Sequence, residues 1–452
     1  MSSRNSKTEV YFSFDTEDFT HEKAWDAQRR EAELLERYGI RGNFNIVGYV
    51  AREWLSHGRY DVPAAISRHD VSFHSLRHSY HPTINEYTDV ESYGAARDEL
   101  LRQECQGMGM VKAATGVRSF VAACPPGNSL SYVAMYEYAK LGIPLYVGSV
   151  FEFADGSSVY MCNALHTNYD FMLEHRFLPG AYREAENYDL NEFLDAAARK
   201  KRVVFYTHPT RAYYRKFWDL VSYRGENTYE FGKWGPTPEN TPEQTAEFFR
   251  RFEEFICAIR SDGRFEIKEM RGLAEKAKLE TSRRVVRYAD LPYIRDALHE
   301  RLWAVRLPSG TLSLTDCFAA AAHFCRSRDD YIPGPVRGFL SSPRGITKPL
   351  TLDRDEVIAL AGYEPDSFLP PSFMTSRGEI GPADMLFAML DAATGAPAVV
   401  LEPREQMPEL SGDYASLRDL HMSGDSWVHS PDFRDAYISD RLRLQSWTIR
   451  EE

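Results

Sequence analysis

Apolar runs along this chain repeatedly end on polar clusters. Val10-Tyr11-Phe12-Ser13-Phe14 stops at Asp15-Thr16-Glu17-Asp18. A buried strand that ends in carboxylates is how an α/β protein sets polar groups at the carboxyl edge of its sheet. Helical spacing follows over 22–38, with Gly39 as its stop. Residues 43–47 read as a second strand closed by Gly48, 64–66 end another helix, and 70–73 form a short third strand. The alternation continues: helix 93–106, extended 118–122, helix 129–140, extended 144–147, helix 191–200, apolar strand 203–206, amphipathic helix 241–260 and a last strand 265–267. Strands alternating with helices of about 10–15 residues predict a parallel sheet, here long enough to close into a barrel.

Two stretches break the rhythm. Between 210 and 240 no period is visible, and Tyr, Trp and Gly are frequent, which points to a functional loop rather than a passive connection. Around 276–284 the chain turns highly charged without apolar periodicity, so a boundary is expected there: a barrel over 8–280 and a smaller, mainly helical domain over 281–452. The second part carries helical stretches at 315–325, 353–361 and 382–393 between Pro-rich segments. No internal repeat is strong enough to assert.

Composition narrows the function. With 54 basic against 66 acidic side chains the net charge is −12, which argues against a nucleic-acid binder because phosphate needs clustered Lys and Arg. No apolar run approaches the roughly 18–20 residues of a spanning helix, and the opening MSSRNSKTEV lacks the apolar centre of a signal peptide. Six Cys lie scattered without CxxC spacing, so neither a zinc knuckle nor a disulfide scaffold is expected. The expectation is a cytoplasmic protein without membrane or nucleic-acid partners.

Three segments carry candidate chemistry: Phe14-Asp15-Thr16-Glu17-Asp18, the run from His69 to His78, and Phe205-Tyr206-Thr207-His208-Pro209. His74 and His78 are four apart, so on a helical turn both imidazoles face the same way. Two neutral imidazoles and one carboxylate make a three-ligand metal site that keeps positions open for water and substrate. A carboxylate beside it serves as base, and a His on a neighbouring strand end serves as acid. Singly, each segment has a plainer reading: a surface His pair, a helix N-cap and a turn. Joint occurrence, each after an expected strand, favours the site. Cys124 reads as a buried inert thiol, His81 as a supporting or surface group, and His69 as part of the barrel.

These segments resemble the NodB-homology domain of polysaccharide deacetylases, carbohydrate esterase family four. Phe12 to Asp18 resembles the opening strand, Arg41-Gly42-Asn43-Phe44-Asn45-Ile46-Val47-Gly48 the second, and Arg68 to His78 the Gly-His-Glu-Ile-Gly-x-His-Ser-x-x-His motif. Gly116-Val117-Arg118, followed by Cys124-Pro125-Pro126-Gly127, is similar to the third motif; Leu141-Gly142-Ile143 with Ser149 to the next strand; Phe205 to Pro209 to the last. The resemblance implies a distorted (β/α) barrel and a divalent metal, usually zinc. His74, His78 and Glu17 would be ligands and Asp15 the base. Arg118 would orient that base, and His208 would protonate the departing amine. Two departures stand out: Asp18 could replace Glu17 or cap the next helix, and Val121-Ala122-Ala123-Cys124 interrupts the third motif.

The implied activity is hydrolysis of a linear amide C–N bond, foremost an N-acetyl group on an amino sugar. The alternatives are a ureide or cyclic-imide hydrolase of a related, allantoinase-like branch, which can work without metal, and a carbohydrate-binding module on a decayed barrel. In the 210–240 segment, Tyr214, Trp218 and Trp234 are expected as a substrate platform or as glue between the domains. Leu312-Ser313-Leu314-Thr315, Ile332 to Val336 and Ile380 to Asp384 carry a fainter similarity to a pseudomurein-binding type of repeat. The alternative is a helical accessory domain that packs on the barrel or joins two copies of the chain into a homo-oligomer.

Overall fold

The computed structural model describes residues 7–148, 150, 151, 153–223, 236–424 and 428–452. The chain divides into two compact units: one of Met1–Ser157, His166–Ala274 and His421–Ala436, the other of Ser158–Leu165, Glu275–Leu420 and Tyr437–Glu452.

The strands up to residue 267 are β1 (Thr8–Thr16), β2 (Asn43–Ile46), β3 (Asp70–Phe73), β4 (Ala122–Ala123), β5 (Leu145–Val147), β6 (Val159–Met161), β7 (Ala164–Thr167), β8 (Phe171–Met172), β9 (Arg202–Thr207) and β10 (Phe265–Ile267). In the first unit the order runs β5-β4-β3-β2-β1-β9-β8, and these neighbours are parallel. β10 pairs with the start of β1, where Thr8 faces Phe265, while β2 takes its end, where Asp15 faces Asn45. Parallel strands linked by helices curl into an open, distorted (β/α) barrel.

Aromatic packing sets the core behind β1. The helix Pro242–Ser261 starts on a capping box between Thr241 and Gln244, with Pro242 at its first turn. Its buried face carries Phe248, Phe252, Phe255 and Ile259 at helical spacing. Phe255 meets Phe205 of β9 edge-on at 4.8 Å, and Phe14 stacks on Phe44 at 4.5 Å.

One contact matters for the site. Gly107, inside the helix Tyr93–Thr115, lies so close to the loop after β3 that a Cβ there would stand 2.8 Å from Leu76 Cα. From the same helix, buried Glu104 accepts the Leu76 N–H at 3.2 Å and the hydroxyls of Tyr87 and Tyr138 at 2.9 and 3.0 Å. The histidine loop therefore rests on a helix that lets its backbone in and satisfies its amide.

The second unit mixes helices with short antiparallel pairs. Val305–Leu307 pairs with Gly310–Leu312, Phe373–Thr375 with Gly378–Ile380, Leu350–Asp353 with Ala398–Leu401, and β6 with Arg450–Glu451. Strands of so few residues carry no measurable alternation, which is why the sequence showed only the helices. The first two hairpins are also copies at a constant sequence offset. Each leads directly into a buried helix, Leu314–Phe324 and Pro382–Ala393. In each, the carboxylate at the third helical position, Asp316 or Asp384, accepts the backbone N–H of the capping residue, Ser313 or Gly381, at 2.9 Å. Arg284 pairs with Asp316 in the core, and Arg404 stands 3.7 Å from Asp384. A duplicated hairpin–helix element is thus present where no repeat was asserted from sequence. Among the described residues no helix is long and apolar enough to cross a membrane.

Candidate active site

The carboxyl ends of β1, β2, β3 and β9 bring the expected polar groups to one cavity of about 810 Å³ in the first unit. Asp15, Glu17, His74, His78 and His208 all line it. Asp15 and Glu17 are two apart on an extended backbone, so they share a face.

The two histidines come together differently from the expected helical turn. His74 leaves β3 in extended register, its N–H bonded to Ile46 O at 3.0 Å. Ser75 and His78 both have positive φ, 74° and 53°, and Ser75 Oγ accepts the His78 N–H at 2.9 Å. Two non-glycine residues in the left-handed region fold the loop back and bring the imidazole centroids to 5.2 Å.

Ligand atoms of Glu17, His74 and His78 lie within 4.8 Å of one another, and all three residues are buried. Glu17 Oε2 is 2.8 Å from His78 Nε2 and 3.8 Å from His74 Nε2. His74 Nδ1 donates to the Cys124 carbonyl, which aims Nε2 inward. Glu17 Oε1 and His74 Nε2 nevertheless have no hydrogen-bond partner. Buried polar atoms are almost always paired, and a cation is the partner that a carboxylate oxygen and an imidazole nitrogen share. The residues therefore fit a divalent metal. Burial alone would raise Glu17, but the His78 and His208 rings hold it well below the usual carboxylate range. Burial likewise opposes charge on His74, yet the Asp15 carboxylate carries it well above the ordinary imidazole value. Asp18 does other work: Oδ1 accepts Thr20 N–H at 2.9 Å and Oδ2 accepts the Thr210 hydroxyl at 2.8 Å, bracing the turn that follows His208.

His208 sits across the cavity, Nε2 3.6 Å from Asp15 Oδ2 and Nδ1 2.7 Å from Glu174 Oε1. Burial lowers its affinity for a proton, but Glu174, Glu17 and Asp15 outweigh burial and raise it to about 9. Behind it Glu31 accepts the Thr207 hydroxyl at 2.9 Å, and burial pushes Glu31 well above the carboxylate range.

Arg118 is not brought to the site. It is exposed on the turn before β4 and does not line the cavity, because the strand begins later than expected, at Ala122. Asp15 instead meets Asn45 and Tyr169 at 2.7 and 2.6 Å. In the 210–240 segment, Phe217, Asp219 and Leu220 line the cavity. Trp218 is buried behind it, 4.6 Å from Phe19 and 5.8 Å from the His78 ring. Tyr214 is buried against His21 at 4.6 Å, away from the cavity lining. Trp234 and Ser149 lie outside the described residues.

The residues that the sequence reading missed are second partners. Asp219 takes the Ser79 hydroxyl at 2.9 Å and stands 3.6 Å from His78 Nδ1; burial pushes it up to about 6. Asn45 belonged to a quoted motif without a role. Tyr169, Glu174 and Asp219 had no local signal beyond a polar residue near an element boundary.

No family model matches the chain, and no curated protein does. Solved structures similar to it include a protein assigned as a polysaccharide deacetylase from Mycobacterium smegmatis (15% identity, TM-score 0.41, covering 62% of this chain and 93% of that one). A 4-alpha-glucanotransferase from Thermococcus litoralis matches at 11% identity and TM-score 0.40 over 60% of this chain and 40% of its own. The Puue allantoinase matches at 11% and 0.37 over 60% and 90%. At such identities and scores, what these proteins do does not transfer to this chain.

Proposed function

We propose that the chain is a metal-dependent hydrolase of linear C–N amide bonds, acting foremost on the N-acetyl group of an amino sugar. The supporting observation is the buried Glu17, His74 and His78 set with its two unpartnered atoms, opening on a cavity that also holds a carboxylate and a cationic imidazole. Glu17, His74 and His78 would hold the ion. When bound, a divalent ion supplies Lewis-acid activation of water and of the amide carbonyl.

The chain's own groups account for the protons. Asp15 Oδ2 faces the cavity and takes the proton from the attacking water. His208, kept protonated by Glu174 at neutral pH, gives one to the departing nitrogen, so water adds across the bond and an acid and an amine leave. Phe217, Leu220 and Met172 supply apolar walls, and Asn168 and the Lys200–Asp170 pair supply polar contacts for orientation.

The test is metal analysis of the purified protein together with a substrate panel, with and without chelator. Acetate release from N-acetylated oligosaccharides that chelator abolishes is the expected result. Absence of bound metal and of acetate, with zinc, cobalt or nickel supplied, overturns the proposal; so does chelator-insensitive opening of a ureide or cyclic imide.

A further inference from the structure

Asp15 Oδ1 is held by two neutral donors. Oδ1 accepts the Tyr169 hydroxyl at 2.6 Å and Asn45 Nδ2 at 2.7 Å. Asn45 Nδ2 also lies 2.6 Å from Tyr169 Oη, so the three groups form a closed triangle. Cys124 Sγ is 2.9 Å from the same Tyr169 oxygen. Because the Tyr169 proton is committed to Asp15, the thiol is the donor in that last contact. Two shifts fit this reading. Burial, then the Asp15 charge, keeps the Tyr169 hydroxyl protonated. The same two causes push the Cys124 thiol up to about 11.

The donors are rigid. Asn45 sits opposite Asp15 in the β1–β2 register, and Asn43 Nδ2 donates to its carbonyl oxygen at 2.9 Å. The Tyr169 ring stacks on Tyr206 at 4.2 Å with 15° between the planes. Asp15 Oδ2 is left toward the cavity and His208.

We infer that Tyr169 and Asn45 are the positioning residues of Asp15, anchoring Oδ1 with neutral donors so that Oδ2 is the working oxygen, in the place that the family resemblance gave to Arg118. Asp15's role as base rests on the proposed function; the anchoring itself does not. Neutral donors fix the orientation of Oδ1 by hydrogen bonds, without placing a fixed charge beside it.

Tyr169→Phe removes the strongest anchor and keeps the ring stack. The expected result is a fall in kcat of about 10- to 100-fold, with KM within about twofold and bound metal unchanged. In an Asp15→Asn background the same substitution adds no further loss, because Tyr169 acts through Asp15. Unchanged kcat in Tyr169→Phe, or an additive loss in the Asp15→Asn background, overturns the assignment. A comparable loss in Arg118→Ala restores the arginine and also overturns it. Urea unfolding of the four proteins of the Asp15→Asn and Tyr169→Phe cycle tests the anchor without turnover. Non-additive midpoints support it even if no amide is cleaved, and additive midpoints refute it.

Discussion

Glu174 Oε1 lies 2.7 Å from His208 Nδ1, and Glu174 itself is fully buried. The pair explains how a largely enclosed imidazole keeps its proton up to about pH 9. If His208 must be protonated to release the amine, activity falls as pH rises through that value. Glu174→Gln removes the charge that opposes desolvation, so the basic limb of the kcat profile moves to lower pH. A pH–rate series on both proteins checks the direction.

On the proposed metal site, removing either imidazole leaves two of the three ligands. His74→Ala and His78→Ala are expected to purify without metal, as read by elemental analysis. Asp15→Asn is expected to retain metal and lose about 10²–10⁴-fold in turnover. Metal loss in Asp15→Asn would exchange the roles of Asp15 and Glu17.

Gly107→Ala puts a methyl group against the backbone of Leu76, where neither side is a flexible tip. The expected cost is about 1–3 kcal/mol in urea unfolding. Metal affinity should fall as well, because the displaced loop carries both histidines.

Glu104 gives a pH-dependent stability of definite sign. Burial holds its carboxyl up to about 7, against an ordinary value of 4.5. A raised folded-state value means stability that is full below 4.5 and is lost as pH climbs to about 7; two and a half units is roughly 3 kcal/mol. Glu104→Gln should flatten the stability curve between those values in denaturant titrations.

Trp218 packs behind His78 and is almost fully enclosed. Trp218→Ala is expected to cost about 3–5 kcal/mol through the cavity it leaves, and calorimetry will show a lowered Tm. An unchanged Tm with a raised KM would move Trp218 back to the cavity surface.

Sequence pattern made the parallel frame legible at β1 and β9, the longest strands, and at β2 and β3, which follow readable helical stretches. It failed for β6 to β8, which have two to four residues each. The spacing of His74 and His78 identified the pair and misjudged its backbone, because a turn closed by two left-handed residues also brings i and i+4 together. Asp15, Glu17 and His208 were legible because each follows an apolar run. Tyr169 and Asp219 line the cavity and Glu174 backs His208 through contacts distant in sequence, and a single chain carries no trace of such contacts. Arg118 was misplaced by a motif match that the later start of β4 breaks.

The division of the chain also bears on its synthesis. The segment His421–Ala436 belongs to the first unit, where Ser430 N–H is bonded to Glu86 and Ala436 N–H to Asp89. Glu86 in turn takes the His81 ring at 2.7 Å, a few residues beyond His78. A ribosome delivers residues 275–420 before that segment, so the first unit waits for its last strap while most of the second emerges. Domains that are continuous in sequence fold one after another as they are made; here the first unit receives its last segment only after residues 275–420 have been made.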